Sequence, residues 1–188
     1  LATRNLEVVR ECTRNTPGFC SPPRLEAAPA RLDQVLLKGV ELVSPLLHGK
    51  QVRLVFDPLP EVTIVMNEVL ILRLVGNLLA NAIKASPAGA IVQLELDPMP
   101  RGESGGEWVR LQIIDHGQGI KHEDLERLLD PPFARSQPDE KTGEPGLGMA
   151  ICRTIVQLHG GRWDVLSEEQ KGTTVSVDLP AAAGVSRL

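Results

Sequence analysis

The sequence contains no tyrosine, three phenylalanines and two tryptophans, so aromatic residues make up 3 % of its 188 positions. So few rings exclude an aromatic platform for stacked bases and leave the core to Leu, Val, Ile and Ala. The net charge is −4 and no basic block is present, so no nucleic-acid partner is expected. Cys12, Cys20 and Cys152 are an odd number without metal-ligand spacing. They fit a reducing compartment better than a disulfide framework, and cytoplasm is the expected location. No run approaches the roughly 18 apolar residues of a membrane helix, and no charged-then-apolar leader opens the chain, so this segment is expected to make no membrane contact. It begins with Leu rather than Met, from which we expect a piece of a longer protein. What is present is 42 % hydrophobic residues, enough for the core of one soluble domain.

Residues 1–16 place Leu6, Val9 and Cys12 near helical spacing and read as the end of an upstream helix. Residues 17–30 are rich in proline and read as a linker. The spacing of Leu32, Val35, Leu36, Val40, Val43 and Leu47 predicts a helix over 31–48, followed by short strands over 51–56 and 62–66. A strong helix is predicted from Glu68 to Ser86, stopped by Pro87. Alternating segments 91–96 and 108–114 predict an antiparallel pair, 122–129 a short helix, 147–158 a further helix ended by Gly160 and Gly161, and 162–166 with 173–179 a closing strand pair. Residues 181–188 read as a frayed tail. Strands interleaved with helices through hairpin connections imply an α+β two-layer sandwich with a mixed, mostly antiparallel sheet and helices on one face, its domain spanning 31–180.

Three local patterns carry chemistry. Asn77, Asn81 and Lys84 fall at i, i+4 and i+7 of the strongest helix, on one face, where an amide oxygen suits Mg²⁺ and an ammonium suits phosphate. The same three residues equally describe a solvated helix surface. Asp115-His116-Gly117-Gln118-Gly119 follows a strand, so a carboxylate that can accept from an exocyclic amine stands beside two glycines that admit close backbone approach. A plain turn has the same composition. Gly143-Glu144-Pro145-Gly146-Leu147-Gly148 runs into a helix, whose first N–H groups and dipole favour an anion, yet no Gly-Lys-Ser/Thr follows and the pattern is not a P-loop. A helix start or lid hinge would look alike.

In their order and separations these patterns resemble the ATP-binding domain of sensor histidine kinases, in the GHKL superfamily with DNA gyrase, mismatch-repair ATPases and heat-shock chaperones. Asn77 to Lys84 is similar to the family's N box, Asp115 to Gly119 to its first glycine box, Pro132-Phe133-Ala134-Arg135 to its F box, Gly146 to Ile151 to its second glycine box, and Gly172 to Pro180 to its final strand. The resemblance covers residues 31–180 and implies a Bergerat-type fold. It implies that Asn81 holds Mg²⁺, that Asn77 and Lys84 contact the phosphates of ATP, and that Asp115 accepts from the adenine amino group with Gly117 and Gly119 shaping the pocket. It further implies that Thr173 helps bind adenine, directly or through water, that the backbone of Gly146, Leu147 and Gly148 embraces the phosphates, that residues 131–145 form a lid, and that Arg135 reaches the terminal phosphates.

In the hydrolysing branches of that superfamily a Glu stands four residues before the metal-binding Asn. Here the position is Asn77, and an amide has no useful basicity for activating water. The resemblance therefore implies a protein histidine kinase that keeps ATP intact for an imidazole nucleophile. None of His48, His116, His122 or His159 has the setting of the phosphate-accepting histidine; each reads as solvated or capping, and the acceptor is expected on a dimerisation hairpin upstream, with a response regulator as the later partner. The segment is expected to be monomeric and the intact kinase homodimeric. Cys152 reads as core. Three departures from the family pattern stand out: Ala85 where an aromatic residue is usual, Glu144-Pro145 before Gly146, and Asp130-Pro131 where the F box usually begins. They keep open the alternative of a degenerate nucleotide-binding or docking module; a hydrolytic ATPase is the other alternative, and Asn77 counts against it.

Overall fold

The structure, a computed structural model, describes residues 26–99, 107–129 and 147–181. Expectations for residues 1–16, for most of the linker, for Arg135, Gly146 and the 131–145 lid, and for residues 182–188 lie outside the described residues. The element order is β1 (Ala28–Arg31), α1 (Leu32–Lys50), β2 (Arg53–Val55), β3 (Thr63–Met66), α2 (Glu68–Ala85), β4 (Ile91–Met99), β5 (Trp108–Asp115), α3 (His122–Leu129), α4 (Leu147–Leu158), β6 (Arg162–Glu168) and β7 (Gly172–Pro180).

A five-stranded sheet runs β2-β4-β5-β7-β6, parallel between β2 and β4 and antiparallel elsewhere, and β1 pairs with β3 in a separate ribbon. This is the α+β sandwich expected. Several strand ends differ from the sequence reading, β4 running on through Pro98 to Met99, and two differences change a segment's assignment. Ala28–Arg31 is strand rather than linker, pairing Pro29 with Val65; a proline is tolerated there because β1 has a partner on one side only. Ala181 belongs to the fold rather than to the tail, since its N–H donates to the Glu107 carbonyl at 2.8 Å.

Alternation decides which side of each strand is covered. On β5 Val109, Leu111 and Ile113 are buried, on β7 Val175, Val177 and Leu179, on β4 Val92, Leu94 and Leu96. Helix α2 lies on this surface with Leu70, Ile71, Leu74, Val75, Leu78, Leu79, Ala82 and Ile83 buried, a stripe too wide for a surface helix and suited to a position between α1, α4 and the sheet. Each such side chain stabilises the fold by about 1.5–3 kcal/mol relative to exposure. The helix starts at Asn67, whose side chain accepts the Leu70 N–H at 3.1 Å, and stops at Ser86, whose hydroxyl donates to the Ala82 carbonyl at 2.8 Å before Pro87.

Helix α1 is anchored by charge. Asp33, buried in its first turn, accepts two 2.8 Å bonds from Arg31 and the Val62 N–H at 3.3 Å. Burial alone would raise the Asp33 pKa, but the Arg31 and backbone bonds outweigh it and hold the carboxyl below its ordinary range. The opposite face of the sheet is polar: Arg110 pairs with Asp178 at 2.7 and 2.9 Å, and Arg162 lies 4.8 Å from the Trp108 ring centre.

Candidate functional site

The inward rows of three adjacent strands turn polar on the same rung. On β5 the row ends in Asp115, on β7 in Thr173 and on β6 in Ser167, and register pairs Asp115 with Thr173 and Thr173 with Ser167. Where these rows end, a cavity of about 180 Å³ opens between the sheet and the helices. It is lined by Ile113, Asp115, Thr173 and Val175 from the sheet, by Leu78, Asn81, Ala82 and Ala85 from α2, by Gln118, Gly119 and Ile120 from the loop after β5, and by Met149 from α4. Its walls are mostly apolar with a few convergent polar groups, the usual composition of a small-molecule site.

Asp115 is 6 % exposed, and its Oδ1 accepts the Gly117 N–H at 2.9 Å. Burial pushes its pKa above the ordinary carboxylate value; backbone bonds from Gly117 and Thr173 and the proximity of His116 recover only part of that shift. An acceptor is thus held at the closed end of an apolar hollow, suited to a neutral N–H donor.

The glycines here serve close packing. A Cβ on Gly117 would meet the Ala85 carbonyl, which also accepts the Gln118 N–H at 3.2 Å. Gly119 has φ +65° and Gly172 φ +114°; side chains there would land on the carbonyls of Glu168 and Asp115 respectively. These three absences let the end of α2, the loop after β5 and the β6–β7 turn converge, so Gly117 supports the cavity from beneath while Gly119 lines it.

Of the three polar residues on α2, Asn81 reaches the lining. The cavity-facing stripe is Leu78, Asn81, Ala82 and Ala85. Asn77, one turn earlier, is half-buried beside Cys152 of α4, whose thiol donates to the Leu74 carbonyl at 3.9 Å. Lys84 is exposed at the far end of the helix, where its backbone carbonyl accepts from Lys50 Nζ at 2.9 Å. Cys152 is fully buried, and burial pushes its thiol up to about 12, against the opposing Asn77 amide; it is core, as read from sequence.

Asn81 Nδ2 donates to Met149 Sδ at 3.2 Å, a contact that does not use the amide oxygen, the atom a hard cation prefers. Among the described residues no group of three or more His, Cys, Asp or Glu could hold a metal ion. A divalent cation here would be held by an amide oxygen together with ligand oxygens, as Mg²⁺ commonly is. Gly148 lies in the first turn of α4, the positive end of a helix dipole, which favours an anion.

Sequence reasoning missed Met149, Ile120 and Ser167. Met149 falls within the second glycine box and carries no chemical signal. Ser167 could have been found by aligning the β6 and β7 rows, which puts a hydroxyl beside Thr173.

Residues 66–183 match the family model described as histidine kinase-, DNA gyrase B-, and HSP90-like ATPase. Among relatives, the adaptive-response sensory kinase SasA of Synechococcus sp. (strain CC9311) is 33 % identical over 108 residues, 57 % of this chain and 27 % of that protein. The alginate biosynthesis sensor protein KinB of Pseudomonas aeruginosa is 31 % identical over 160 residues, 84 % of this chain and 25 % of its own length. The chain thus spans about a quarter of each of these two relatives. Among solved structures, the mycobacterial sensor histidine kinase MprB superposes with a TM-score of 0.66 at 25 % identity, covering 82 % of this chain and 97 % of that one. Full-length ShkA in complex with AMPPNP superposes with a TM-score of 0.70 at 25 % identity, covering 90 % of this chain and 34 % of that one.

Proposed function

Because the chain belongs to the histidine kinase-, DNA gyrase B-, and HSP90-like ATPase family and is an ATP-binding domain of the sensor histidine kinase kind, we propose that it delivers the γ-phosphoryl group of ATP to a histidine on a dimerisation hairpin of the same kinase. A response regulator then receives the group on an aspartate. The observation that carries this reading is the shared cavity: Asn81 and Asp115, far apart in sequence, line one hollow between α2 and the sheet.

In this reading Asp115 and Thr173 take the adenine end, and Asn81 takes the phosphate end with Mg²⁺. Bound Mg²⁺ would neutralise phosphate charge; the chain's own residues bind, orient and exclude water. The cavity accommodates a base-sized group, so the phosphates extend outward past Asn81 toward the start of α4. Lys84 and Asn77 lie outside the described lining and would meet phosphates beyond it; the backbone of Gly146, Leu147 and Gly148 would embrace them, and Arg135 of the 131–145 lid would reach the terminal ones. Two features support phosphoryl transfer over hydrolysis. The position that would need a general base is an amide, and that amide is half-buried beside Cys152. We place the domain in the cytoplasm, where ATP is supplied; no helix among the described residues is long and apolar enough to cross a membrane.

The test follows label from γ-labelled ATP when the chain is mixed with the histidine-bearing hairpin of its own kinase. Acid-labile phosphohistidine on the hairpin, lost in Asn81→Ala, is expected. Release of free phosphate by the chain alone, also lost in Asn81→Ala, would establish a hydrolase instead. Nucleotide binding with neither product would leave a docking module.

A further inference from the structure

Ser167 does not line the cavity, yet it bonds the segments that frame it. Its Oγ donates to the Gly172 carbonyl at 3.0 Å, accepts the Ile120 N–H at 2.9 Å and lies 2.8 Å from Thr173 Oγ1. A serine hydroxyl has one hydrogen and two lone pairs. A carbonyl oxygen only accepts, so the hydrogen points at Gly172; an amide N–H only donates, so one lone pair points at Ile120. The remaining lone pair faces Thr173, which has to supply the hydrogen of that contact. With its single hydrogen committed to Ser167, the Thr173 hydroxyl has only lone pairs left for any further partner, and Thr173 lines the cavity on the same rung as the Asp115 carboxylate, which also only accepts.

We propose that Ser167 is a positioning residue that determines specificity: by fixing the direction of the Thr173 hydroxyl it makes this end of the cavity read a purine 6-amino group and reject a 6-oxo group. An amino group offers two hydrogens to two acceptors. A carbonyl in its place sets lone pairs against lone pairs, and a buried polar site discriminates strongly against a ligand that leaves its groups unpaired. The inference rests on the nucleotide reading above and deepens it.

The experiment is calorimetric titration of the 188-residue chain, with Mg²⁺, against a non-hydrolysable ATP analogue and its inosine counterpart. The wild-type chain prefers the adenine form. In Ser167→Ala the Thr173 hydroxyl is freed to rotate and donate, so the preference narrows by roughly three- to tenfold. Ser167→Thr, which keeps the hydroxyl, restores it. In a Thr173→Val background Ser167→Ala produces no further change, because the two residues act as one unit. Equal weakening of both nucleotides in Ser167→Ala, with their ratio preserved, would show a merely structural role and overturn the proposal. If Ser167→Ala does not fold, Thr173→Val carries the test alone, and an unchanged ratio in that variant overturns the proposal equally. A wild-type chain that binds both nucleotides alike overturns this inference while leaving the nucleotide reading standing; one that binds neither overturns the nucleotide reading and this inference with it.

Discussion

His159 Nε2 accepts the backbone N–H of Asn67 at 3.1 Å, while its Nδ1 donates to the Ile155 carbonyl at 2.7 Å. The ring is therefore neutral with its proton on Nδ1, and it ties the end of α4 to the residue that caps α2. Both helices contribute to the cavity wall, so this bond helps fix their spacing.

Acid should weaken that tie. Burial lowers the His159 pKa, the Ile155 carbonyl opposing it. The unfolded chain then takes up the proton first, so this contribution to stability is present above about pH 6.5 and is lost as pH falls below it toward the folded value. Urea denaturation at a series of pH values should show wild-type stability dropping over this range. His159→Leu should be less stable near neutrality by about 1–3 kcal/mol and should lack that portion of the slope. Parallel curves for the two proteins would remove His159 from the account.

Asp115 has the opposite sign for folding. Its folded pKa is raised, so its contribution to the stability of the ligand-free chain is present at low pH and lost as pH rises through the raised value. Nucleotide affinity should move the other way, since only the carboxylate accepts from an amine without a competing hydrogen. Asp115→Asn should weaken binding of an ATP analogue by about 1–3 kcal/mol, or roughly 5- to 150-fold, and abolish the part of the pH dependence that belongs to this group. Comparing both proteins on one nucleotide cancels the titration of the phosphates; unchanged affinity would exclude Asp115 from the site.

Glycine substitutions should separate two kinds of position. Gly119→Ala and Gly172→Ala force a Cβ onto a carbonyl at positive φ, and should each cost more than about 2 kcal/mol, with nucleotide affinity falling as the loop and turn are pushed apart. Gly148 lies in α4, and no described residue comes within 4 Å of an added Cβ there. Gly148→Ala should leave thermal stability unchanged or raise it by about 0.5–1 kcal/mol, because alanine is the better helix former. Equal destabilisation of all three would show that these close approaches do not shape the fold.

The sheet and its helices were legible because apolar alternation on β4, β5 and β7 and the broad stripe on α2 each have one packing solution. Asp115 stood out as a carboxylate at a strand end beside two glycines, and Asn81 through its i, i+4, i+7 spacing with Asn77 and Lys84. Three features were less accessible. The β1 strand contains Pro29, and proline signals a linker unless the partner strand is known. Asn77 and Asn81 share a helix face only to within the angular width of that face; the presence of α4 turns one toward Cys152 and leaves the other at the cavity. Ser167 bonds Ile120, 47 residues away, and His159 bonds Asn67, 92 residues away, contacts that no local pattern encodes. His159 caps, as one of its two expected roles had it, but it is buried rather than solvated.

Because three neighbouring rows give out together, the interior of this domain is one layer short of complete, and whatever enters the hollow becomes a detachable part of its core. Occupancy and cohesion are then two views of a single equilibrium. Heating the empty and the filled chain would register the guest as additional folded mass, and damage deep in the sheet would be felt first as a looser grip at its open end.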